Sequence, residues 1–274
     1  MTSNMNGIPR HWKYVSLVKM SIQSALAYRG VIIIEWFIDA WSVAIMLYVW
    51  RTVFATEATQ IGSYDWQRMK TYLVLAYAIN AFSASGVIWQ MGSLIRDGNI
   101  ATELTRPMSF LGAQFSAQVG SSLVSGVIGM GLVTLLSVVV LGLLPPISAL
   151  GLLLFLLALA LGYLLRFCFD YIIAMCACWL TNTQGINWIV WYGVRLISGA
   201  IIPITLFPGW LRTFASIAPF HGIVADPIAI YLGDAQGWAA LQLIGLQLIW
   251  IIALWLLSRW LWPRALKALE IQGG

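Results

Sequence analysis

Residues Leu150–Leu165 read LGLLLFLLALALGYLL, and this stretch decides the fold class. It holds no charged residue, and its apolar side chains do not alternate with polar ones as they would along a strand of a membrane barrel. In a bilayer only helices and closed barrels satisfy every backbone group internally, so the stretch reads as a buried or lipid-facing helix. The rest of the chain agrees. Of its 274 residues 61% are hydrophobic and 9% charged, where a soluble domain carries about 25% charged residues. The fold class is therefore all-α, and lipid is the solvent for most of the chain.

About 20 residues at 1.5 Å each cross a hydrocarbon core of roughly 30 Å. Working outward from Leu150–Leu165, six stretches of that length are expected: Val31–Phe54, Thr71–Met91, Ala113–Leu144, Ile147–Leu180, Ile186–Phe207 and Trp238–Trp262. Pro145 and Pro146 separate the third from the fourth by a very short hairpin, because tandem prolines remove two backbone donors. The polar run Thr181-Asn182-Thr183-Gln184-Gly185 separates the fourth from the fifth. Trp12–Arg29 places Trp12, Val15, Val18, Ile22 and Leu26 on one face, the pattern of an amphipathic helix lying in the interface. Phe207–Leu232 is largely apolar yet broken by Pro208, Pro219 and Pro227. It reads as short helices re-entering the outer leaflet, packed against protein because irregular backbone at membrane depth must be shielded from lipid.

An even number of spans puts both ends on one side, and the basic residues say which. With the ends in the cytoplasm, the inner segments hold Arg10, Lys13, Lys19, Arg29, Arg96, Arg106, Arg259, Arg264 and Lys267, against Arg51, Arg68, Lys70 and Arg212 outside. That is the positive-inside bias, and it accounts for the net charge of +5 without nucleic acid. The N-terminus lacks an apolar core followed by a small-residue cleavage site, so no cleaved leader is expected. The organisation expected is a cytoplasmic N-terminus and interfacial helix over 1–30, a membrane domain over 31–262 and a cytoplasmic tail over 263–274.

Catalytic constellations are missing. No Gly-Lys dipeptide occurs, which excludes a P-loop. His11 and His221 are the only histidines, leaving no zinc motif or triad. Cys168, Cys176 and Cys178 read as buried thiols, and no metal site is expected. What remains are ionisable side chains inside the membrane, which are costly and are functional candidates for that reason. Arg195 lies in the fifth span, Glu35 and Asp39 stand four apart on one face of the first, and Arg166 and Asp170 are likewise spaced on the fourth. They fix packing as ion pairs or serve a substrate or gating role. Gly112, Ser116 and Gly120, then Ser121, Ser125 and Gly129, form small-residue rows that let helices approach closely, within the chain or between subunits.

Two regions carry a resemblance to a known family. Ile95-Arg-Asp-Gly-Asn-Ile-Ala-Thr-Glu-Leu-Thr-Arg-Pro107 resembles the loop between spans two and three of the ABC transporter type-2 permeases, and Gly199-Ala-Ile-Ile-Pro203, Phe207-Pro-Gly-Trp210, Ala218-Pro-Phe220, Asp226-Pro227 and Leu232-Gly233 resemble their external re-entrant segment. The terminal Gln272-Gly-Gly274 is similar to the ending of the small six-span subfamily. The resemblance covers essentially the whole chain, and His221-Gly222 is a departure from it, where bulky or aromatic residues are more usual. It implies that the loop over 92–112 couples to an ATPase through Asp97, Gly98, Asn99, Glu103 and Arg106. It also implies that Pro203, Pro208, Pro219, Phe220, His221 and Pro227, within the external segment 207–236 and just before it, shape an outer gate. The expected partners are two ATPase subunits, which carry the ATP and Mg, and a second permease subunit, often non-identical. This chain would then need no cofactor of its own, sit in the inner membrane and export a hydrophobic, amphipathic or lipid-like substrate. Its many Trp, Phe and Met side chains suit a hydrophobic or cationic amphipathic compound. The competing readings are a self-sufficient secondary transporter or channel using Glu35, Asp39 and Arg195, for which no internal repeat is visible, and a lipid-acting membrane enzyme, for which no nucleophile and base are found.

Overall fold

The computed structural model describes residues 10–56, 60–83, 85–127, 131, 141–180 and 184–273, and among them the chain is helical apart from one two-stranded hairpin and short connections. The helices are α1 (Arg10–Ala27), α2 (Arg29–Thr56), α3 (Trp66–Ser83), α4 (Val87–Arg96), α5 (Ile100–Leu104), α6 (Phe110–Ser122), α7 (Ala149–Met175), α8 (Gln184–Ile197), α9 (Gly209–Ile217), α10 (Ala225–Leu232) and α11 (Trp238–Gly273). Four helical stretches among the described residues are long and apolar enough to cross a membrane: Gly30–Ala55, Trp66–Arg96, Ala149–Cys178 and Trp238–Leu269.

The remaining two expected spans differ from the sequence reading in ways the backbone explains. For Ala113–Leu144, α6 continues into a π-helical turn, Leu123–Val127; 128–130 and 132–140 lie outside the described residues. For Ile186–Phe207, α8 has 14 residues, about 21 Å at 1.5 Å per residue, short of the roughly 30 Å core. The helix stops because Gly199 takes φ +84°, a left-handed conformation, and Pro203 follows within one turn. The second expected span, Thr71–Met91, is broken in its middle: α3 ends at Ser83 and α4 begins after Gly86. The sequence there is Ser83-Ala84-Ser85-Gly86, where serine and glycine compete poorly for helix.

The centre of the molecule is α7. Half of its most apolar stretch is buried, against 6% for α2. Ser148 starts the helix by accepting a hydrogen bond from the Gly151 N–H at 2.9 Å, the usual work of an N-terminal serine. Phe167 and Tyr171 are among the largest fully buried side chains. Phe167 meets Phe115 edge-on at 4.9 Å, and Trp262 of α11 stacks on Phe110 at 4.9 Å, so aromatic rings knit α6, α7 and α11 together. α2 leaves Ile33, Ile34, Phe37, Trp41 and Tyr48 exposed, surface that costs nothing against lipid tails.

The expected interfacial helix α1 lies along α6. A Cβ on Gly120 would sit 2.6 Å from the Val18 carbonyl oxygen, and one on Gly112 would meet the Tyr14 ring at 2.8 Å. The row Gly112, Ser116, Gly120 therefore carries helix contact within the chain. Of the second row, Gly129 lies outside the described residues. The hairpin Gln60–Ile61 with Tyr64–Asp65, in register Gln60↔Asp65 and Ile61↔Tyr64, turns the chain between α2 and α3. Gly62 supplies its left-handed corner at φ +62°.

The segment after α8 folds as the short helices its prolines predict. A 3₁₀ turn at Ile204–Leu206, then α9, a second 3₁₀ turn at Pro219–Ile223 and α10 follow in order. They pack on protein: a Cβ on Gly162 of α7 would stand 2.9 Å from the Gly222 carbonyl oxygen. Gln247 of α11 donates through Nε2 to that same oxygen at 2.6 Å and to Ala158 at 3.0 Å. Gly233, at φ +81°, closes α10. α11 then runs on through Pro263 to Gly273 without a break, so the expected tail over 263–274 continues the last helix.

Candidate functional site: a charged cavity beside a broken span

Helices α2, α3, α6 and α8 enclose a cavity of about 640 Å³ together with the break after α3. That volume lies in the range of small-molecule sites, roughly 300–1,000 Å³. α2 contributes Glu35, Trp36, Asp39 and Ser42, α3 contributes Tyr77 and Asn80, α6 contributes Gln118, and α8 contributes Trp191, Tyr192 and Arg195. Ser85 and Gly86 line it at the break. Three of the five intramembrane ionisable residues singled out in the sequence thus meet on one wall system. Glu35 and Asp39 face the cavity together because residues four apart share a helix face.

The Arg195 guanidinium rests against aromatic rings. Its guanidinium carbon stands 4.7 Å from the Trp191 ring centre and 5.2 Å from that of Tyr77. Its buried Nε finds no acceptor among the described residues. Asp39 lines the same cavity, yet it and Arg195 make no ion pair, and aromatic faces take the cation instead.

The other two charges belong to the scaffold of the break. Asp170 Oδ2 accepts from Arg166 Nε at 2.7 Å and from the Ser85 hydroxyl at 2.6 Å. The Gly86 N–H donates to Gln118 Oε1 at 3.0 Å. A broken helix at membrane depth leaves backbone groups that water cannot satisfy, and side chains of neighbouring helices answer them here. Arg166 and Asp170 are 4% and 0% exposed, which makes them a pair buried within the protein.

The segment after α8 carries a second interior pair. His221 Nδ1 donates to Asp226 Oδ2 at 2.7 Å, and Phe220 meets Phe169 of α7 edge-on at 4.9 Å. Pro219 opens the 3₁₀ turn and Pro227 lies in the first turn of α10, where a missing N–H costs no helical bond. Pro203 and Pro208 directly precede the 3₁₀ turn at Ile204 and α9. The Tyr72 hydroxyl donates to the Gly199 carbonyl at 2.8 Å, fixing the end of α8.

The loop over 92–112 lies at the far end of α4. Asp97 ends α4, Gly98 takes φ +70°, and Asn99 precedes the single helical turn of α5. The loop's one helical turn is therefore Ile100–Leu104. Arg106 pairs with Glu103 at 2.9 Å, and Leu104 is exposed. Ser109 then opens α6 by accepting from the Gly112 N–H at 3.3 Å. Ser85, Gly86, Gln118, Tyr77 and Trp191 were missed as site residues. The run Ser83-Ala84-Ser85-Gly86 inside an apolar stretch was the available signal for the break, while nothing local marks Gln118 or Tyr77.

Long apolar helices, charges gathered at a cavity between them and an exposed helical turn between two of them define a polytopic membrane protein of the transporter class. Residues 40–273 match the model of the ABC-2 family transporter proteins, and the chain belongs to that family. No curated protein matches it.

Proposed function

We propose that this chain is the permease subunit of an ATP-binding-cassette exporter, forming half of a translocation pathway that separate ATPase subunits drive. The family membership carries the transporter assignment and brings an ATPase partner with it. The structural observation that supports the division of labour is α5. It is an exposed turn set off by the left-handed Gly98, and it continues through α4 to the break that lines the cavity. A push on α5 therefore has a short, rigid route to the cavity, and the ATPases need only bias two packings of the same helices. In this reading six spans place both termini in the cytoplasm, α9 and α10 form a re-entrant element on the external side, and a second permease subunit completes the pathway. The cargo is hydrophobic, amphipathic or lipid-like.

The test is reconstitution with the ATPase that purifies with the chain, measuring hydrolysis and efflux together. Replacing 98–105 with a flexible Gly-Ser linker should abolish efflux per ATP while leaving the complex assembled. Unchanged efflux per ATP would remove α5 from the mechanism. One observation favours a second reading, a self-sufficient secondary transporter: Glu35, Asp39 and Arg195 share the cavity. Uptake or efflux driven by a pH gradient in vesicles holding this chain and no ATPase would decide for it.

A further inference from the structure

We propose that the cavity is a subsite for the cationic group of an amphiphile, and that Arg195 is a resident cation which the incoming one displaces. The inference rests on the export reading for its purpose but on the geometry of the cavity for its chemistry.

The lining contains two carboxylates, Glu35 and Asp39, and one guanidinium, Arg195. Among the described residues Glu35 makes no ion pair, so with both carboxylates ionised the lining holds one more negative group than positive. At membrane depth such a charge is expensive, and a cation from outside the chain would relieve it. Counting along the helices at 1.5 Å per residue puts Asp39 about 14 Å and Arg195 about 16 Å from the ends where their spans begin, and Glu35 about 7 Å. The two carboxylates thus stand one helical turn apart along the α2 wall of the cavity.

The chain itself demonstrates what the site accepts. Arg195 rests on Trp191 at 4.7 Å and Tyr77 at 5.2 Å, with Asp39 close by and no hydrogen bond from Nε. Aromatic faces backed by a carboxylate are how proteins hold cations that offer few hydrogen-bond donors, such as quaternary ammonium groups. Trp36 and Tyr192 extend the aromatic lining beyond the two rings Arg195 covers. A guanidinium held by rings and not by an ion pair gives up little on moving aside. An anionic ligand would find the opposite balance, two carboxylates facing it for one guanidinium.

The experiment uses the full chain in lipid nanodiscs and two probes of nearly the same shape and opposite charge, tetraphenylphosphonium and tetraphenylborate. Equilibrium dialysis should show the cation bound at least about tenfold more tightly than the anion. The paired change Glu35→Gln with Asp39→Asn should weaken the cation by about tenfold or more, whereas Arg195→Met should leave it as tight or tighter. Equal affinity of the two ions overturns the proposal, and is the result expected if a second permease subunit neutralises Glu35. Preference for the anion, or loss of cation binding in Arg195→Met, overturns it in favour of an anion site. The charge preference of the unaltered chain stands as a test even where a variant does not fold. Cation binding of this pattern without any ATP-driven movement in the reconstituted complex would refute the export reading and leave the site. ATP-driven efflux without charge preference would do the reverse.

Discussion

The guanidinium of Arg195 lies 4.7 Å from the ring centre of Trp191, one helical turn earlier on the same helix. An i,i+4 pair of this kind lets a helix carry a charge into the membrane without importing a counterion from another helix. It also means that the charge and its support fail separately. Trp191→Leu should lower the thermal unfolding midpoint in detergent only modestly, by the equivalent of about 0.5–2 kcal/mol. Arg195→Lys should cost more in transport than in stability, because an ammonium cannot lie flat on two rings. Equal stability of wild type and Trp191→Leu would show that the ring contact carries no load.

The pair Arg166 and Asp170 makes the opposite prediction. Both are buried and Asp170 also accepts from Ser85, so removing one partner strands the other. Arg166→Met or Asp170→Leu alone should destabilise by about 3–5 kcal/mol, and the double variant should recover much of that loss. Thermal unfolding of the three proteins in one detergent is the measurement. A double variant as unstable as the sum of the singles would mean that the pair contributes more than mutual neutralisation.

Gly120 tests the packing of α1. A Cβ there would meet the Val18 carbonyl oxygen and Ser21 Cβ at 2.6 Å each, backbone among them, whereas nothing lies within 4 Å of one on Gly245. Gly120→Ala should therefore destabilise by about 1–3 kcal/mol as an overpacked site. Gly245→Ala, at a half-buried helix position with room for a Cβ, should stabilise by up to about 1 kcal/mol. If both changes are neutral, α1 does not lie against α6 as described.

The sidedness proposed from the basic residues is open to labelling. On a background with Cys168, Cys176 and Cys178 replaced by serine, single cysteines at Asp65 and Gly233 should react with an impermeant maleimide in intact cells. Those at Gly98 and Gln272 should react only after permeabilisation. Reaction at Gly98 from outside would invert the topology.

Much of this molecule is written in its sequence, and the reasons differ by element. Leu150–Leu165 declares a helix because lipid permits no other use of so many apolar residues in a row. The short helices after Phe207 were legible because Pro208, Pro219 and Pro227 each limit a helix locally. The family resemblance seen in the loop and external segment agrees with the matched model over 40–273. The break at Ser85-Gly86 had a local signal in its serines and glycine, but its partners did not: the Gly86 N–H is met by Gln118 and the Ser85 hydroxyl by Asp170, from helices far away in sequence. The aromatic support of Arg195 was hidden for a related reason. Charge counting finds carboxylates, but it does not find a ring of Tyr77 that α3 brings across from another part of the chain.

The last prediction concerns the loop that would meet the ATPase. Gly98 sits at φ +70° with open space where a Cβ would go, so Gly98→Ala meets no neighbour and its whole effect is conformational. A left-handed alanine costs roughly 1–2 kcal/mol, enough to shift the loop toward a conformation in which α4 and α5 meet at another angle. Glu103, half-buried, and the exposed Arg106 form a pair at 2.9 Å, which as a surface ion pair contributes little to stability but presents two fixed charges to a partner. Glu103→Ala or Arg106→Ala should then leave the unfolding midpoint unchanged and lower efflux per ATP, because charges at an interface set orientation more than affinity. Gly98→Ala should lower efflux per ATP as well, with the ATPase still co-purifying. The charge exchange Glu103→Arg with Arg106→Glu separates the two roles. It keeps the pair within the loop and reverses what the partner sees, so efflux should fall at least as far as in either single variant. Full activity in the exchanged protein would show that the pair only stiffens α5, and that the ATPase reads some other part of the loop.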